Sequence, residues 1–175
     1  MAKMKFYALW LSLVAVLLFV MQMYISGFTD MFLLTPAAIN NLEIYRFVTS
    51  ILLHGGMGHL VYNLFALIFF GLVLEKVIGS RRFLFVFFIS GVVANIIAVN
   101  FYNASLGASG AIFGIIGCLA VLKPKLPVFA FGLPLPMILA AFLWMAGDLL
   151  RVFAPVNSNV GSIAHLSGLG VGVLA

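Results

Sequence analysis

Charged side chains are scarce in this 175-residue chain. Only 7% of the residues are Asp, Glu, Lys or Arg, whereas 65% are hydrophobic. A soluble domain needs roughly a quarter charged residues to cover its surface, so this composition excludes one and indicates an outer surface that faces lipid. The length allows about six membrane-spanning helices of ~20 residues. We therefore expect a single transmembrane domain over residues 1–175.

Cysteine and acidic residues are also rare, and their absence excludes several kinds of site. The one cysteine, Cys118, cannot form an internal disulfide, and we expect it to be a packing residue. No acid lies between His54 and His59, which excludes the His-Glu-x2-His motif of zinc proteases. An aspartyl protease needs two intramembrane Asp residues, but of Asp30 and Asp148 only the second falls in an expected span. We therefore expect no metal and no cofactor.

Long apolar runs predict an all-α membrane protein with six spans. The first run follows basic residues, as in a signal peptide, but it lacks an Ala-x-Ala cleavage site, so we interpret it as an uncleaved helix. The connection at 27–56 is amphipathic and apolar, which favours a position in the membrane interface. The predicted spans lie near 6–26, 57–78, 83–102, 108–122, 135–153 and 159–175.

The net charge of +5 is better explained by membrane topology than by nucleic acid, because the basic residues are scattered at span ends. With six spans, Arg46 and Arg151 lie on one side. The positive-inside rule then places the N-terminus in the cytoplasm, on the side that holds Lys3, Lys5, Lys76, Arg81, Arg82, Lys123 and Lys125.

Four polar residues on three spans fall at one depth. Ser109 begins a short fourth span, so it lies below the outer surface by ~9 Å. His165 lies at a similar depth in the sixth span, and His59 and Asn63 share a face of the second. Polar groups are costly at such a depth, so their clustering indicates an aqueous site.

Glycine pairs on the fourth and sixth spans predict that these two helices approach closely. Small residues four apart let backbones pack tightly, and such an approach would bring Ser109 within reach of His165. That is the geometry a serine nucleophile needs from a general base. The pairs are Gly110 with Gly114 and Gly168 with Gly172.

These motifs resemble those of the rhomboid intramembrane serine proteases, in order and over nearly the whole chain. GASG at 107–110 resembles the family's Gly-x-Ser-Gly nucleophile motif, and HGGMGHLVYN at 54–63 resembles its His-x4-His-x3-Asn stretch. AHLSGLGVG at 164–172 resembles its Ala-His-x2-Gly-x3-Gly helix, and LEKVIGS at 74–80 its Glu-x3-Gly helix end.

The resemblance implies a Ser–His dyad rather than a triad. Ser109 would be the nucleophile, His165 the general base, and the oxyanion hole would comprise His59, Asn63 and the Ser109 backbone N–H. With no carboxylate to orient His165, packing against Phe113 would do so. The glycines that would support the site are Gly107, Gly110, Gly168 and Gly172.

The resemblance also implies the six-helix rhomboid core with an interfacial loop between its first two helices. Its partners would be the lipid bilayer and transmembrane protein substrates, cut near their outer ends. The fifth span would be a lateral gate, and the site would open to the outer side of the membrane.

Three positions depart from the family's common pattern. Tyr45 stands where Trp often precedes Arg46, Phe113 where Tyr often follows the nucleophile, and Ser167 where the sixth helix commonly has Gly. None of these removes a catalytic atom, and Phe113 can still stack on His165.

Two other classes of function remain open. The chain could be a catalytically silent rhomboid-like protein that binds membrane clients, although both Ser109 and His165 are present. It could also be a small transporter whose polar cluster holds a solute, although no inverted repeat is visible.

Elsewhere, polar residues have structural interpretations. We expect Glu75 to form an interfacial salt bridge with its basic neighbours, and Asp148 with Arg151 to form a surface pair. His54 is equally compatible with a structural hydrogen bond and with a site role.

Overall fold

The structure is a computed structural model that describes residues 4–153 and 161–175, and this part of the chain is mostly helical. Two short strands, β1 (Pro127–Ala130) and β2 (Leu133–Pro136), lie between the seventh and eighth helices. A 3-10 turn at Ser50–Leu52 follows the fourth helix. The helices are α1 (Tyr7–Tyr24), α2 (Phe28–Phe32), α3 (Pro36–Asn40), α4 (Arg46–Thr49), α5 (Met57–Ile78), α6 (Ser80–Ala98), α7 (Ser109–Leu122), α8 (Met137–Phe153) and α9 (Ser162–Leu174).

Three of these helices, α1, α5 and α6, are long and apolar enough to cross a membrane. Helices α7 and α9 are shorter and also apolar. Large apolar side chains such as Trp10, Phe65 and Phe85 are exposed on the outward faces of the long helices, as contact with lipid requires.

Among the described residues, the helix bounds lie within about four residues of the predicted span bounds, and the largest shifts are in α6. Helix α5 occupies the predicted range, and α7 begins one residue later than predicted. Helix α6 begins three residues early because Gly79, at φ 84°, ends α5 and immediately precedes α6. It ends at Ala98, where the Asn100 amide donates to the Ile96 and Ile97 carbonyls. The predicted start of the last span at residue 159, and Lys3, lie outside the described residues.

A β-hairpin corrects the expectation of an all-α chain. Strands β1 and β2 pair antiparallel around Phe131 and Gly132, which both have positive φ. A two-residue turn of that kind matches the twist of the paired strands. The predicted start of the fifth span at 135, with Pro136 in its first turn, is wrong, because Pro136 ends β2 and α8 begins at Met137.

Helix α7 is the centre of the molecule and is buried over most of its length. Its closest neighbour is α9, and glycines explain the approach. A methyl group on Gly168 would collide with the Gly110 carbonyl oxygen, and one on Gly172 with the Gly114 carbonyl oxygen. The close approach expected from the two small-residue faces is therefore present.

Glu75 does not form the expected salt bridge. Its carboxylate is buried and accepts hydrogen bonds from the backbone N–H groups of Tyr7 (3.0 Å) and Ala8 (3.1 Å). It also accepts one from the Ser80 hydroxyl at 2.7 Å. The first N–H groups of a helix have no partner within it, so Glu75 satisfies the N-terminus of α1 and joins it to α5.

Candidate active site

Ser109 is the first residue of α7, at the end of an irregular loop. This position leaves its backbone N–H without a partner inside the helix and next to the positive end of the helix dipole. The preceding Gly107 has φ 119°, a conformation that residues with a side chain rarely adopt. The helix start therefore presents both a hydroxyl and a free N–H at one point.

His59 lies against this loop from α5. The Gly55 N–H points at His59 Nδ1 at 3.4 Å, which leaves the ring proton on Nε2 as a donor. A Cβ at Gly107 would lie 2.8 Å from His59 Nε2, so glycine is required there for the ring to fit. The arrangement places an N–H donor beside the loop that carries Ser109.

Asn63 lies one turn further along the same face of α5 and is buried. Its Nδ2 donates to the His59 carbonyl oxygen at 2.8 Å. An amide nitrogen has two N–H groups, so a second donor remains on the side chain that lines the cavity.

His165 stacks on Phe113. Their ring centroids are 4.2 Å apart, and the rings are inclined by only 6°. The stacking expected of Phe113 is therefore seen, and it fixes the plane of the imidazole.

A carboxylate also contacts His165, so the expectation that none orients it is wrong. Asp148 Oδ2 lies 2.9 Å from His165 Nδ1. Asp148 was expected to form a surface pair with Arg151, and that contact exists at 3.3 Å, but the Asp148 side chain is only 2% exposed. Asp148 and His165 are 17 residues apart in sequence, and the i, i+3 spacing of Asp148 to Arg151 made a surface pair the simpler interpretation.

One cavity of about 950 Å³ is lined by all of the sequence-predicted site residues except Gly168 and Gly172, which lie at the contact of α9 with α7. Within residues 4–153 and 161–175, the Ser109 hydroxyl and His165 do not form a hydrogen bond, although both line this cavity. Catalytic hydrogen bonds are often long before substrate binds. The residues in its wall include Ser109, His165, His59, Asn63, Phe113, Gly107, Gly110, Asn95, Tyr102 and Trp144.

A polar network behind the loop that carries Ser109 was missed in the sequence. Asn95 on α6 donates to the Phe47 carbonyl (2.9 Å) and the Ser50 hydroxyl (3.0 Å), and it accepts from the Ser105 hydroxyl (2.9 Å). The Gly107 N–H donates to the Ser50 carbonyl at 2.9 Å. The network fastens the loop before Ser109 to the segment before α5. A single Asn in the apolar last two turns of α6 was the available signal.

His54 lies behind His59, with ring centroids 5.2 Å apart in an edge-on arrangement. It lies in the loop before α5 and is 2% exposed. Burial, with a smaller contribution from His59, lowers the pKa of His54 from 6.5 to about 4. It is therefore neutral at physiological pH.

Known proteins are similar to this chain in sequence. A family model described as Rhomboid domain matches residues 41–175. The chain is 34% identical over 142 residues to "Putative rhomboid protease YdcA" of Bacillus subtilis, covering 78% of this chain and 67% of that protein. It is 34% identical over 137 residues to "Rhomboid protease GluP" of the same organism, covering 76% and 25%.

A third relative has a name that bears on activity. The chain is 39% identical over 85 residues to "Inactive RHOMBOID-like protein 8" of Arabidopsis thaliana, covering 47% of this chain and 24% of that protein. The chain thus spans about two thirds of the first of the three relatives and about a quarter of the other two.

Proposed function

Because this chain belongs to the rhomboid family, we propose that it is an intramembrane serine endopeptidase that cleaves transmembrane helices of other membrane proteins. The observation that carries the proposal is a single cavity that holds a serine at a helix N-terminus, an oriented histidine and two further hydrogen-bond donors. Ser109 is the nucleophile and His165 the general base.

In the first half-reaction, Ser109 Oγ attacks the scissile carbonyl carbon while His165 Nε2 takes the hydroxyl proton. The carbonyl oxygen becomes an oxyanion. The scissile C–N bond then breaks as His165 returns the proton to the leaving nitrogen, which produces an acyl-enzyme and a free amine. Water, activated by the same imidazole, attacks the ester carbonyl and releases the carboxylic acid and the serine hydroxyl.

The oxyanion hole is formed by the Ser109 N–H, His59 Nε2–H and the second N–H of Asn63. Donors fixed in advance are effective because they need no reorganisation as charge develops, and each typically contributes ~10²–10³ in kcat. The contact of His59 with Gly107 and the helix-terminal position of Ser109 support this assignment.

The site is proposed to operate within the bilayer and to open to the outer side. Helices α1 and α5–α9 would form six spans, with the N-terminus in the cytoplasm. The basic residues at the α5–α6 junction and after α7 support this orientation, because Ser109 lies at the opposite end of α7. Helix α8, which contributes Trp144 to the cavity wall, would be the side through which a substrate helix enters.

A fluorophosphonate probe tests the proposal, because it reacts with a serine that has a general base nearby. The full chain in detergent is expected to take one adduct, on Ser109, and to cleave a reconstituted transmembrane peptide. Labelling should vanish in Ser109→Ala and fall sharply in His165→Ala. Ser167→Ala is the matched control, because the Ser167 hydroxyl only donates to the Ile163 carbonyl on the same helix. It should label like the wild type.

The alternative is a protein that binds membrane clients without cutting them, which the likeness to a relative named inactive keeps open. A folded wild type with neither adduct nor cleavage would favour that alternative and overturn the proposal. An adduct that persists undiminished in His165→Ala would instead remove His165 as the base.

A further inference from the structure

Asp148 is a buried carboxylate whose oxygens are both occupied. Oδ1 accepts a hydrogen bond from the Ser162 hydroxyl at 2.8 Å and lies 3.3 Å from an Arg151 nitrogen. Oδ2 is left for His165 Nδ1 at 2.9 Å. The Asp148 side chain is 2% exposed and that of His165 12%, whereas that of Arg151 is 55% exposed.

This contact fixes which nitrogen of His165 faces the cavity as a base. A carboxylate only accepts hydrogen bonds, so the proton of the neutral ring lies on Nδ1. Nε2 then carries the lone pair, as a general base requires. Stacking on Phe113 sets the plane of the ring but leaves its rotation within that plane free, whereas a hydrogen bond to Nδ1 sets the rotation.

The carboxylate also matches the charge that forms during the reaction. When His165 takes the serine proton it becomes an imidazolium, and Asp148 lies in direct contact with that cation at a point where both side chains are largely buried. A fixed opposite charge stabilises such a species more strongly there than at a surface.

We infer that Asp148 is a positioning residue for His165, so that this chain works with a Ser109–His165–Asp148 arrangement rather than a dyad. The inference rests on the proposed function. It requires that Asp148 act through the imidazole. A carboxylate that only ties α8 to α9 would affect folding instead.

The variant that separates these roles is Asp148→Asn, which keeps the size of the side chain and removes its charge. An Asn amide can donate to Nδ1 and so place the ring proton on Nε2, the wrong tautomer for a base. In serine proteases of the triad type such a change lowers kcat by ~10⁴. We expect kcat to fall by ~10²–10⁴, KM to stay within about threefold, and the fluorophosphonate rate to fall in parallel.

Arg151→Gln is the matched control. It removes the other charge in contact with the same carboxylate but touches neither His165 nor the cavity lining. It should retain kcat within about threefold, because the Arg151 side chain is 55% exposed and solvent screens its charge. If Arg151→Gln lowered kcat as much as Asp148→Asn, a general effect of charge would account for both and the inference would fall.

A measurement that needs no activity separates this inference from the proposed function. In the wild type, ¹⁵N NMR of labelled histidine should show His165 protonated at Nδ1, with Nε2 as the acceptor, at a pH where the ring is neutral. Asp148→Asn should change that pattern. A His165 proton on Nε2 in the wild type, or wild-type kcat in a folded Asp148→Asn variant, would overturn the positioning role. Absence of proteolysis with the expected tautomer would count against the proposed function alone.

Discussion

The side-chain amide of Asn63 has two N–H groups, one bonded within α5 and one available to the cavity. The first is used by the His59 carbonyl, which holds the side chain in place along α5. The second can therefore be a donor that is already oriented when substrate arrives. In this respect Asn63 is both part of the helix and part of the proposed oxyanion hole.

Asn63→Ala should lower kcat by ~10²–10³, because the lost hydrogen bond is strongest in the transition state. KM should change much less. Steady-state cleavage of a transmembrane peptide measures both. Asn100→Ala is the control, since Asn100 is exposed and its amide donates only to carbonyls of α6. An unchanged kcat in Asn63→Ala would exclude Asn63 as an oxyanion donor.

Individual residues were predictable where their partners lie close in sequence or share a helix. His59 and Asn63 are four apart, so helical geometry alone places them on one face. Asp148 could not be placed this way, because its contact with His165 depends on how α8 packs against α9. The partners of Glu75 could not be predicted for the same reason. The two N–H groups that donate to it belong to α1, which is far from Glu75 in sequence.

At the scale of elements, the contact between α7 and α9 holds Ser109 and His165 in register. Backbone carbonyls of α7 occupy the space that side chains at Gly168 and Gly172 would fill. A carbonyl oxygen in a helix cannot swing aside as a side chain can. Separation of the two helices is the only response available to a larger residue.

Gly168→Ala should therefore destabilise the protein by about 1–3 kcal/mol, the usual range for overpacking, and lower kcat. Gly170→Ala is a matched control on the same helix, because a methyl group there meets nothing within 4 Å. Alanine favours a helix over glycine by up to ~1 kcal/mol, so this control should be neutral or slightly stabilising. Thermal unfolding in detergent and a cleavage assay would measure both; equal stability of the two variants would contradict the packing argument.

Long apolar helices were predictable as elements, whereas short irregular ones were not. Helix α5 has an apolar run bounded by glycines, so its range could be read directly. The hairpin at 127–136 is also apolar and rich in proline, which made it resemble the approach to a helix. The sequence feature that indicates the hairpin is the Phe131–Gly132 turn. It was hard to recognise because Phe-Gly is less typical of hairpin turns than Asn-Gly.

For the whole molecule, His54 couples stability to pH. Its pKa in the folded protein is about 4, against 6.5 in the unfolded chain. Between these values the unfolded chain binds a proton that the folded protein does not, so stability rises with pH. The free energy of unfolding has its full value above about pH 6.5. It decreases on acidification towards pH 4, by at most about 1.4 kcal/mol per pH unit for this one group.

The thermal midpoint of unfolding should accordingly fall between pH 7.5 and pH 5 in the wild type. His54→Gln removes this titration, so its midpoint should fall less over the same range. The difference between the two curves isolates His54 from other groups that titrate there. Parallel curves would show that His54 is not held neutral by burial.

Glu75 also joins two segments of the chain that are made at different times. Helix α1 leaves the ribosome before α5, and the carboxylate that accepts the N–H groups of Tyr7 and Ala8 is made 67 or 68 residues after them. An unpaired N–H costs several kcal/mol in hydrocarbon. We therefore expect the first turn of α1 to stay at the hydrated surface of the bilayer until α5 is inserted. Helix α1 would then reach its final depth only when a much later part of the chain arrives beside it.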